Sequence, residues 1–419
     1  MEKSDNRHWK LNLAMMWFSQ LVVLTGFAAA MPFIPLFFKH NVGITDEGEL
    51  GIYVSLFNFF STLAYAIGNP LWGTLSDRWG VKIMLLRGTF VTAFIFPIMG
   101  YVHSAWLLIG LRFLTAFCAG TTSAAQTLIV KNTPDNKLGL ALGIFSTAYF
   151  CGIMLGNVVG GLVVHYYGFE SAFWFCGILY FIGGISVLFA REDCKPAPKI
   201  KNSVQRRSRV KPIVPLLPVF TTAVTLALLL FMINGFVRTF EGAYIAMLVE
   251  IITGPDTAAY WTGIVSAFAS GGALLSGALF GYLADRYPPE KLVLPALLTA
   301  AVMLFLQAGA ESVWAFGAAR TFMAITGGGL GPIYQKVLSN ITPRRKRGQV
   351  FGWTSTFSGI GNMSSSLVAG WFIMLFGTRG VFYVGALLTL LLVPIMQIML
   401  KKILDQPYYK ANAGKNRKK

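Results

Sequence analysis

The chain has 419 residues, of which 55% are hydrophobic and 12% are charged, about half the charged fraction of a typical soluble protein. Its 35 Lys and Arg outnumber its 17 Asp and Glu, giving a formal net charge of +18. This composition excludes a disordered chain, a secreted disulfide scaffold and an ordinary cytosolic enzyme. The low charge density argues against a nucleic-acid-binding protein and indicates a membrane protein whose charges are confined to loops.

Twelve apolar runs follow one another along the chain, each long enough to cross a bilayer as a helix. They lie near residues 12–38, 50–72, 83–102, 105–130, 138–163, 171–190, 217–248, 258–283, 292–309, 312–336, 349–376 and 380–401. The first run is too long for a cleaved signal peptide. We therefore predict an all-α membrane protein with twelve transmembrane helices, numbered here as spans 1 to 12.

The basic residues predict how these spans are oriented. If both termini are cytoplasmic, the termini, the cytoplasmic loops and the parts of the spans next to them carry 30 Lys and Arg, whereas the outer loops carry only Lys39 and Arg379. This asymmetry predicts a multi-pass protein of the plasma (inner) membrane with both termini in the cytoplasm. Segment 191–216 is the one long polar stretch between spans, and we interpret it as a basic linker attracted to anionic lipid at the cytoplasmic face, not to nucleic acid.

The linker divides the spans into two sets of six that repeat each other. The sequence Gly73-Thr-Leu-Ser-Asp77-Arg78 recurs 208 residues later as Gly281-Tyr-Leu-Ala-Asp285-Arg286. Further glycines and arginines match at offsets of 208 or 209, including Arg112 with Arg320 and Gly168 with Gly377. We therefore predict two pseudo-symmetric halves, residues 1–190 and 217–419. Repeats of this kind build transporters that rock one half against the other.

The motifs resemble those of the major facilitator superfamily over essentially the whole chain. The segment from Gly73 to Lys82, with Asp77, Arg78 and Gly80, resembles that family's cytoplasmic loop signature, although Pro288 replaces the second glycine in the later copy. Span 4 opens on an arginine motif. Span 5 contains a glycine motif similar to that of proton-driven efflux members, in which Asn157 replaces the usual proline; its glycines are Gly152, Gly156, Gly160 and Gly161.

The resemblance is strongest to the multidrug/proton antiporter branch. It implies a monomeric transporter with the major facilitator fold, no cofactor and a proton gradient as its energy source. Its partners are then a small-molecule substrate and the bilayer. We also predict no enzyme activity and no metal site, because the four histidines lack metal-ligand spacing and Gly327–Gly329 lacks the Lys of a phosphate-binding loop.

The repeated loop motif suggests a cytoplasmic gate. Gly73 permits close approach of helix ends, and Asp77 can accept hydrogen bonds from Arg78, from Lys82 and from amides at a helix N-terminus. The alternative is that these charges only fix topology. The gate residues predicted in both halves are Gly73, Asp77, Arg78, Gly80, Lys82, Gly281, Asp285 and Arg286.

Ionisable residues within spans are costly and therefore mark functional sites. Arg112 heads a polar stripe at helical spacing in span 4, with Thr115 and Gln126 further along. It is predicted to line a cavity, the alternative being that it reaches the outer headgroups. For Arg320, its repeat mate, a cavity position and a structural pair are both open.

Glu241 is the one acidic residue placed within a span. Its spacing from Arg238 and Asn234 predicts that all three share a helix face. The proton-coupling candidates are thus Glu241, Arg238 and Arg112. An interfacial ion pair between Glu241 and Arg238 is the alternative for this carboxylate.

Other polar residues of the spans are candidates for the cavity wall, although ordinary contacts between helices have the same pattern. These candidates are Asn58, Ser61, Tyr65, Asn157, Asn234 and Asn362. The glycines of span 5 fit either a specific antiport role or close helix packing.

Together these features predict a secondary transporter that works by alternating access and exports small hydrophobic or amphipathic solutes, coupled to protons. A symporter or uniporter for a sugar or another polar metabolite is the alternative. A non-transporting receptor fits less well, because it would need neither Arg112 nor two copies of the gate motif.

Overall fold

The computed structural model describes residues 9–134, 137–192, 221–342 and 347–406, and this part of the chain is helical with no strand. The helices are α1 Trp9–Ala30, α2 Ile34–His40, α3 Glu47–Trp79, α4 Val81–Gly100, α5 Ala105–Cys118, α6 Thr121–Asn132, α7 Leu138–Phe189, α8 Thr222–Thr239, α9 Ile245–Thr253, α10 Pro255–Arg286, α11 Pro289–Ala308, α12 Val313–Gly327, α13 Leu330–Ile341 and α14 Arg347–Leu404.

These helices form the twelve predicted spans. Nine segments of the described residues are long and apolar enough to cross a membrane. Two of them, α7 with 52 residues and α14 with 58, are far longer than the roughly 20 residues that cross once. Each is divided by one glycine with non-helical dihedral angles, and α12 with α13 supplies the twelfth crossing. The predicted all-α fold is confirmed.

Gly168 reverses the direction of the chain within α7. Before it, Gly152 packs against Leu21 and Gly160 packs against Ala29, so the two helices run in the same direction. After it, Ser186 donates to the Met15 carbonyl and Gly183 accepts from Ser19, so the order is inverted. The φ of Gly168 is +81° and that of Gly377 is +67°, values that residues with a Cβ rarely adopt. Both glycines therefore make a turn between two spans.

The internal repeat is visible as pairs of matching irregularities. Gly168 and Gly377, which interrupt α7 and α14, were aligned in sequence at an offset of 209. Spans 1 and 7 are each interrupted by a short 3-10 turn, at Met31–Phe33 and at Gly242–Tyr244. Spans 4 and 10 are each broken in the middle, after Cys118 and after Gly327. The two halves thus share their departures from ideal helix as well as their helices.

We call helices α1–α7 the N-terminal group and helices α8–α14 the C-terminal group. The basic face is the end of the bundle where α3 meets α4 and α10 meets α11, and the opposite face is the end with Gly168 and Gly377. The predicted linker at 191–216 falls almost entirely outside the described residues. The boundaries at 190 and 217 stay predictions.

Candidate functional site: a central cavity between two helix groups

The two groups meet at the opposite face. The Glu250 carboxylate of α9 accepts from Lys39 Nζ at 2.9 Å and lies 2.8 Å from His40 Nε2. Tyr244 Oη lies 2.6 Å from Ser55 Oγ, and both groups are buried. Between described residues, every hydrogen bond that joins the groups lies at the level of Asn157 or closer to this face. The molecule is therefore closed here, and the groups separate toward the basic face.

Below this closure lies a cavity of about 570 Å³, a size suited to a small organic molecule. Apolar side chains such as Phe27, Phe57 and Met323 alternate in its wall with amides and hydroxyls. The charged residues in its lining, among the described residues, are Arg112, Arg238 and Arg320. The cavity therefore combines apolar surface, hydrogen-bonding groups and positive charge.

Arg112 projects into this cavity from the N-terminal group. Its guanidinium carbon lies 5.1 Å from the centre of the Phe27 ring and 5.7 Å from that of Phe57, within the range of cation–π attraction. Its Nε is buried and has no hydrogen-bond partner among the described residues. The side chain thus occupies the cavity and does not extend to the headgroups.

Glu241 pairs with Arg320, not with Arg238. Its Oε1 lies 2.6 Å from Arg320 Nη1, the glutamate is fully buried, and Oε2 has no described partner. Glu241 lies just beyond α8, which ends at Thr239, and Phe240 and Glu241 keep right-handed helical dihedral angles. The prediction that Glu241 shares a helix face with Arg238 and Asn234 stays a prediction, whereas the alternative of an ion pair with Arg238 gives way to the pair with Arg320. Arg238 remains in the last turn of α8 and lines the cavity.

The predicted polar stripe of span 4 is interrupted. Gly120 adopts a φ of +106°, and span 4 is divided into α5 and α6. Helical spacing therefore does not continue from Arg112 to Gln126. Thr115 is buried and donates to the Arg112 carbonyl, and Gln126 is exposed. Neither is among the described residues that line the cavity.

Four of the predicted amides line the cavity: Asn58, Asn157, Asn234 and Asn362. Asn157 Nδ2 also donates to Ser270 Oγ at 3.2 Å, so this residue of the span 5 motif joins the two groups. Asn362 contacts the backbone of α8 and has a structural role as well.

Two further candidates lie outside the wall. Ser61 is buried and Tyr65 is 41% exposed, and neither is among the lining residues. Tyr65 lies within electrostatic range of Tyr149, which in turn lies within range of Arg238. This places Tyr65 near the mouth of the cavity at the basic face.

The glycines of span 5 pack in two different places. A Cβ on Gly152 would lie 2.8 Å from the Leu21 carbonyl oxygen, and Gly156 and Gly160 also abut α1. All three contacts are within the N-terminal group. A Cβ on Gly161 would instead lie 2.9 Å from the Ala259 carbonyl oxygen of α10. Gly161 therefore belongs to the closure between the groups.

This difference predicts opposite phenotypes for two matched substitutions. Gly161→Val should prevent full closure at the opposite face, whereas Gly152→Val should destabilise the N-terminal group, since overpacking costs about 1–3 kcal/mol. The test is the rate at which an impermeant maleimide labels cysteine introduced at Ala258, which is buried in the closure. Faster labelling is expected only for Gly161→Val, and a lower melting temperature mainly for Gly152→Val. Equal labelling rates in both variants would contradict this assignment.

The glycines that open the two predicted gate motifs face open space. A Cβ on Gly73 or on Gly281 would have no described atom within 4 Å. Arg78 and Arg286 are exposed at the ends of α3 and α10. The side chains of Asp77 and Asp285 lie outside the described part of the chain, so their predicted roles stay predictions.

Glu192 caps a helix N-terminus in the way predicted for Asp77. Glu192 accepts from the backbone amides of Val81 and Lys82 at 2.9 and 2.8 Å, next to Gly80 at the start of α4. Lys82 Nζ donates to the Leu188 and Ala190 carbonyls, which end α7. The signature thus fastens span 3 to span 6 within one group.

Sequence reasoning did not identify the closure itself. Lys39 and His40 lie 211 and 210 positions from Glu250, and Ser55 lies 189 from Tyr244. No periodicity connects residues so far apart. The available signal was that Lys39 is one of only two basic residues assigned to the outer loops.

Paired helix groups around a charged central cavity, which the described residues close at one face, define a transporter of the alternating-access type. The family model described as "Major Facilitator Superfamily" matches residues 16–279 and 228–418, and this chain belongs to that family. The protein is therefore a multi-pass integral membrane transporter and not an enzyme, as the sequence predicted.

Curated relatives align over most of the chain. The multidrug resistance protein MdtG of Salmonella arizonae is 30% identical over 380 residues, which cover 90% of this chain and 93% of that protein. MdtG of Proteus mirabilis is 29% identical over 394 residues, covering 92% and 94%. These similarities support the predicted resemblance to multidrug transporters.

Solved structures share the fold at low identity. A crystal structure of the nucleoside transporter NupG has a TM-score of 0.76 at 12% identity and covers 93% of this chain and 99% of its own. The D-xylose–proton symporter has a TM-score of 0.72 at 16% identity, covering 92% and 96%. At such identities the likeness establishes the fold alone.

Proposed function

We propose that this protein exports small hydrophobic or amphipathic solutes across the plasma (inner) membrane in exchange for protons. The observation that carries the proposal is the central cavity, which mixes apolar and hydrogen-bonding walls and is closed by polar contacts at one face only. Relatives named as multidrug resistance proteins support export of such solutes. The proton gradient is the energy source, and no cofactor takes part.

The sidedness follows from the basic residues. Lys and Arg are concentrated at one face of the bundle, so that face is cytoplasmic and both termini lie in the cytoplasm. The conformation described above is then open to the cytoplasm and closed to the outside. Anionic lipid contacts the basic loops, and the transporter works as a monomer.

The buried pair of Glu241 and Arg320 supports proton coupling. A carboxylate can leave its arginine partner when it gains a proton, and a buried arginine left alone is costly. Protonation of Glu241 from the outside therefore favours a rearrangement of span 10 relative to span 7. Release of the proton to the cytoplasm restores the pair.

The test uses the purified protein in liposomes that contain a trapped pH dye. If a solute enters the lumen in exchange for protons, the lumen becomes more alkaline after the solute is added. Cotransport of solute and proton makes the lumen more acidic and would establish the alternative, a symporter. A solute taken up without any pH change would identify a uniporter. Apolar amines and acids are compared with sugars, and protein-free liposomes give the passive leak.

A further inference from the structure

The positive charge of the cavity exceeds its negative charge. Its described lining contains Arg112, Arg238 and Arg320 but no acidic residue. Among the described residues, the one carboxylate in contact with any of them is Glu241, which lies behind the lining and neutralises Arg320. Two arginines therefore have no described acidic partner.

No carboxylate of the described residues contacts Arg112. Two aromatic rings, Phe27 and Phe57, approach its guanidinium group. They attract a cation weakly and accept no strong hydrogen bond. The buried Nε has no described partner. A guanidinium held in this way can donate to an anion that enters the cavity, and such bonds are among the strongest in proteins.

Arg238 provides a second positive charge from the other helix group. Its side chain is accessible to solvent and lines the same cavity. Arg320 lies within electrostatic range and repels it, while the carboxylate of Glu241 attracts it. Because Glu241 is already bonded to Arg320, the donors of Arg238 remain available to a ligand.

We propose that the cavity selects solutes that carry an oxyanion, such as a carboxylate or sulfonate, on an apolar body. The oxyanion lies between Arg112 and Arg238 and so connects the N-terminal and C-terminal groups. The apolar body packs against aromatic and aliphatic residues of the wall, among them Phe57, Val265 and Leu304. This assignment rests on the proposed export function and adds the charge of the substrate to it.

The arrangement leaves the Arg320–Glu241 pair intact, so solute and proton use different parts of the cavity. It is also consistent with the direction of transport. An inside-negative membrane potential favours both outward movement of an anion and inward movement of a proton. Cationic amphiphiles, by contrast, meet two unpaired arginines and are disfavoured.

The test compares two probes that share an apolar body and differ in charge. Dansylglycine carries a carboxylate, and dansylglycinamide carries a neutral amide at the same position. Their binding to the detergent-purified full-length protein is measured by fluorescence anisotropy. We expect at least tenfold tighter binding of the carboxylate. Arg238→Gln should remove that preference, Arg238→Lys should retain most of it, and Arg379→Gln, an arginine outside the cavity, should leave it unchanged.

Several outcomes would overturn the assignment. One is equal affinity for the two probes in the wild-type protein. Another is a decrease in affinity in Arg238→Gln that is the same for both probes. Melting temperatures identify any variant that fails to fold, in which case Arg112→Gln and Arg112→Lys replace it. Proton flux in liposomes is measured separately. Proton exchange with neutral or cationic solutes, without a carboxylate preference, would refute the anion site and leave the proposed export function standing.

Discussion

Glu241→Gln is expected to abolish solute-driven proton flux and to destabilise the protein. The carboxylate is fully buried and bonded to Arg320 at 2.6 Å. Glutamine neither carries a proton between the two sides nor neutralises the arginine. Removing one partner of a buried pair typically costs about 3–5 kcal/mol, because the other charge is left uncompensated. Flux is measured in liposomes with a trapped pH dye, and stability by thermal unfolding in detergent.

The double variant separates the two effects. In Glu241→Gln combined with Arg320→Gln, no buried charge is left alone, so we expect most of the stability to return while proton flux stays absent. Glu290→Gln removes an exposed carboxylate at the start of α11 and is the matched control. Normal coupled flux in Glu241→Gln would exclude this residue from proton coupling. A double variant no more stable than the single one would show that the pair contributes little to folding.

The sequence predicted most of the fold because the bilayer imposes simple rules. Runs of apolar residues define spans by length, and offsets between glycines define the repeat. Gly168 and Gly377 were matched in sequence, and the structure shows each making the same turn. Apolar runs and glycine offsets can both be recognised in a single sequence.

The prediction that relied on ideal helix geometry beyond a break was wrong. Gly120 interrupts span 4 between Arg112 and Gln126, where helical spacing assumed a continuous helix. The internal repeat identified Arg320 as the counterpart of Arg112, but it did not predict which residue pairs with Arg320. Its partner is determined by how spans 7 and 10 pack, which periodicity does not specify.

The excess of basic residues indicates one property in the sequence and another in the structure. In sequence, a net charge of +18 is mainly a signal of orientation, since most basic residues lie in the termini and in the loops predicted to face the cytoplasm. In the structure, three arginines within the spans, Arg112, Arg238 and Arg320, line one cavity. The same residue type therefore indicates the orientation of the protein in the sequence and gives the cavity at its centre a positive charge.

Glu250→Gln is expected to shift the protein away from the conformation that is closed at the opposite face. Glu250 is 7% exposed and bonds both Lys39 and His40 across the two groups. The amide carries no charge to attract Lys39. Because the two partners are more than a third exposed, the effect is limited to about 1 kcal/mol. That is roughly a fivefold change in the ratio of the two conformations.

Spin labels at Trp79 and Tyr287, both exposed at the basic face, measure this shift in a background without cysteine. The distance between the labels should shorten in a larger fraction of molecules when the opposite face opens, because the two groups rock about the cavity between them. Glu49→Gln removes an exposed carboxylate at the opposite face, where Glu250 also lies, and should leave the distribution of distances unchanged. An unchanged distribution in Glu250→Gln would mean that the buried Tyr244–Ser55 contact and the Gly161 packing are sufficient to keep this face closed.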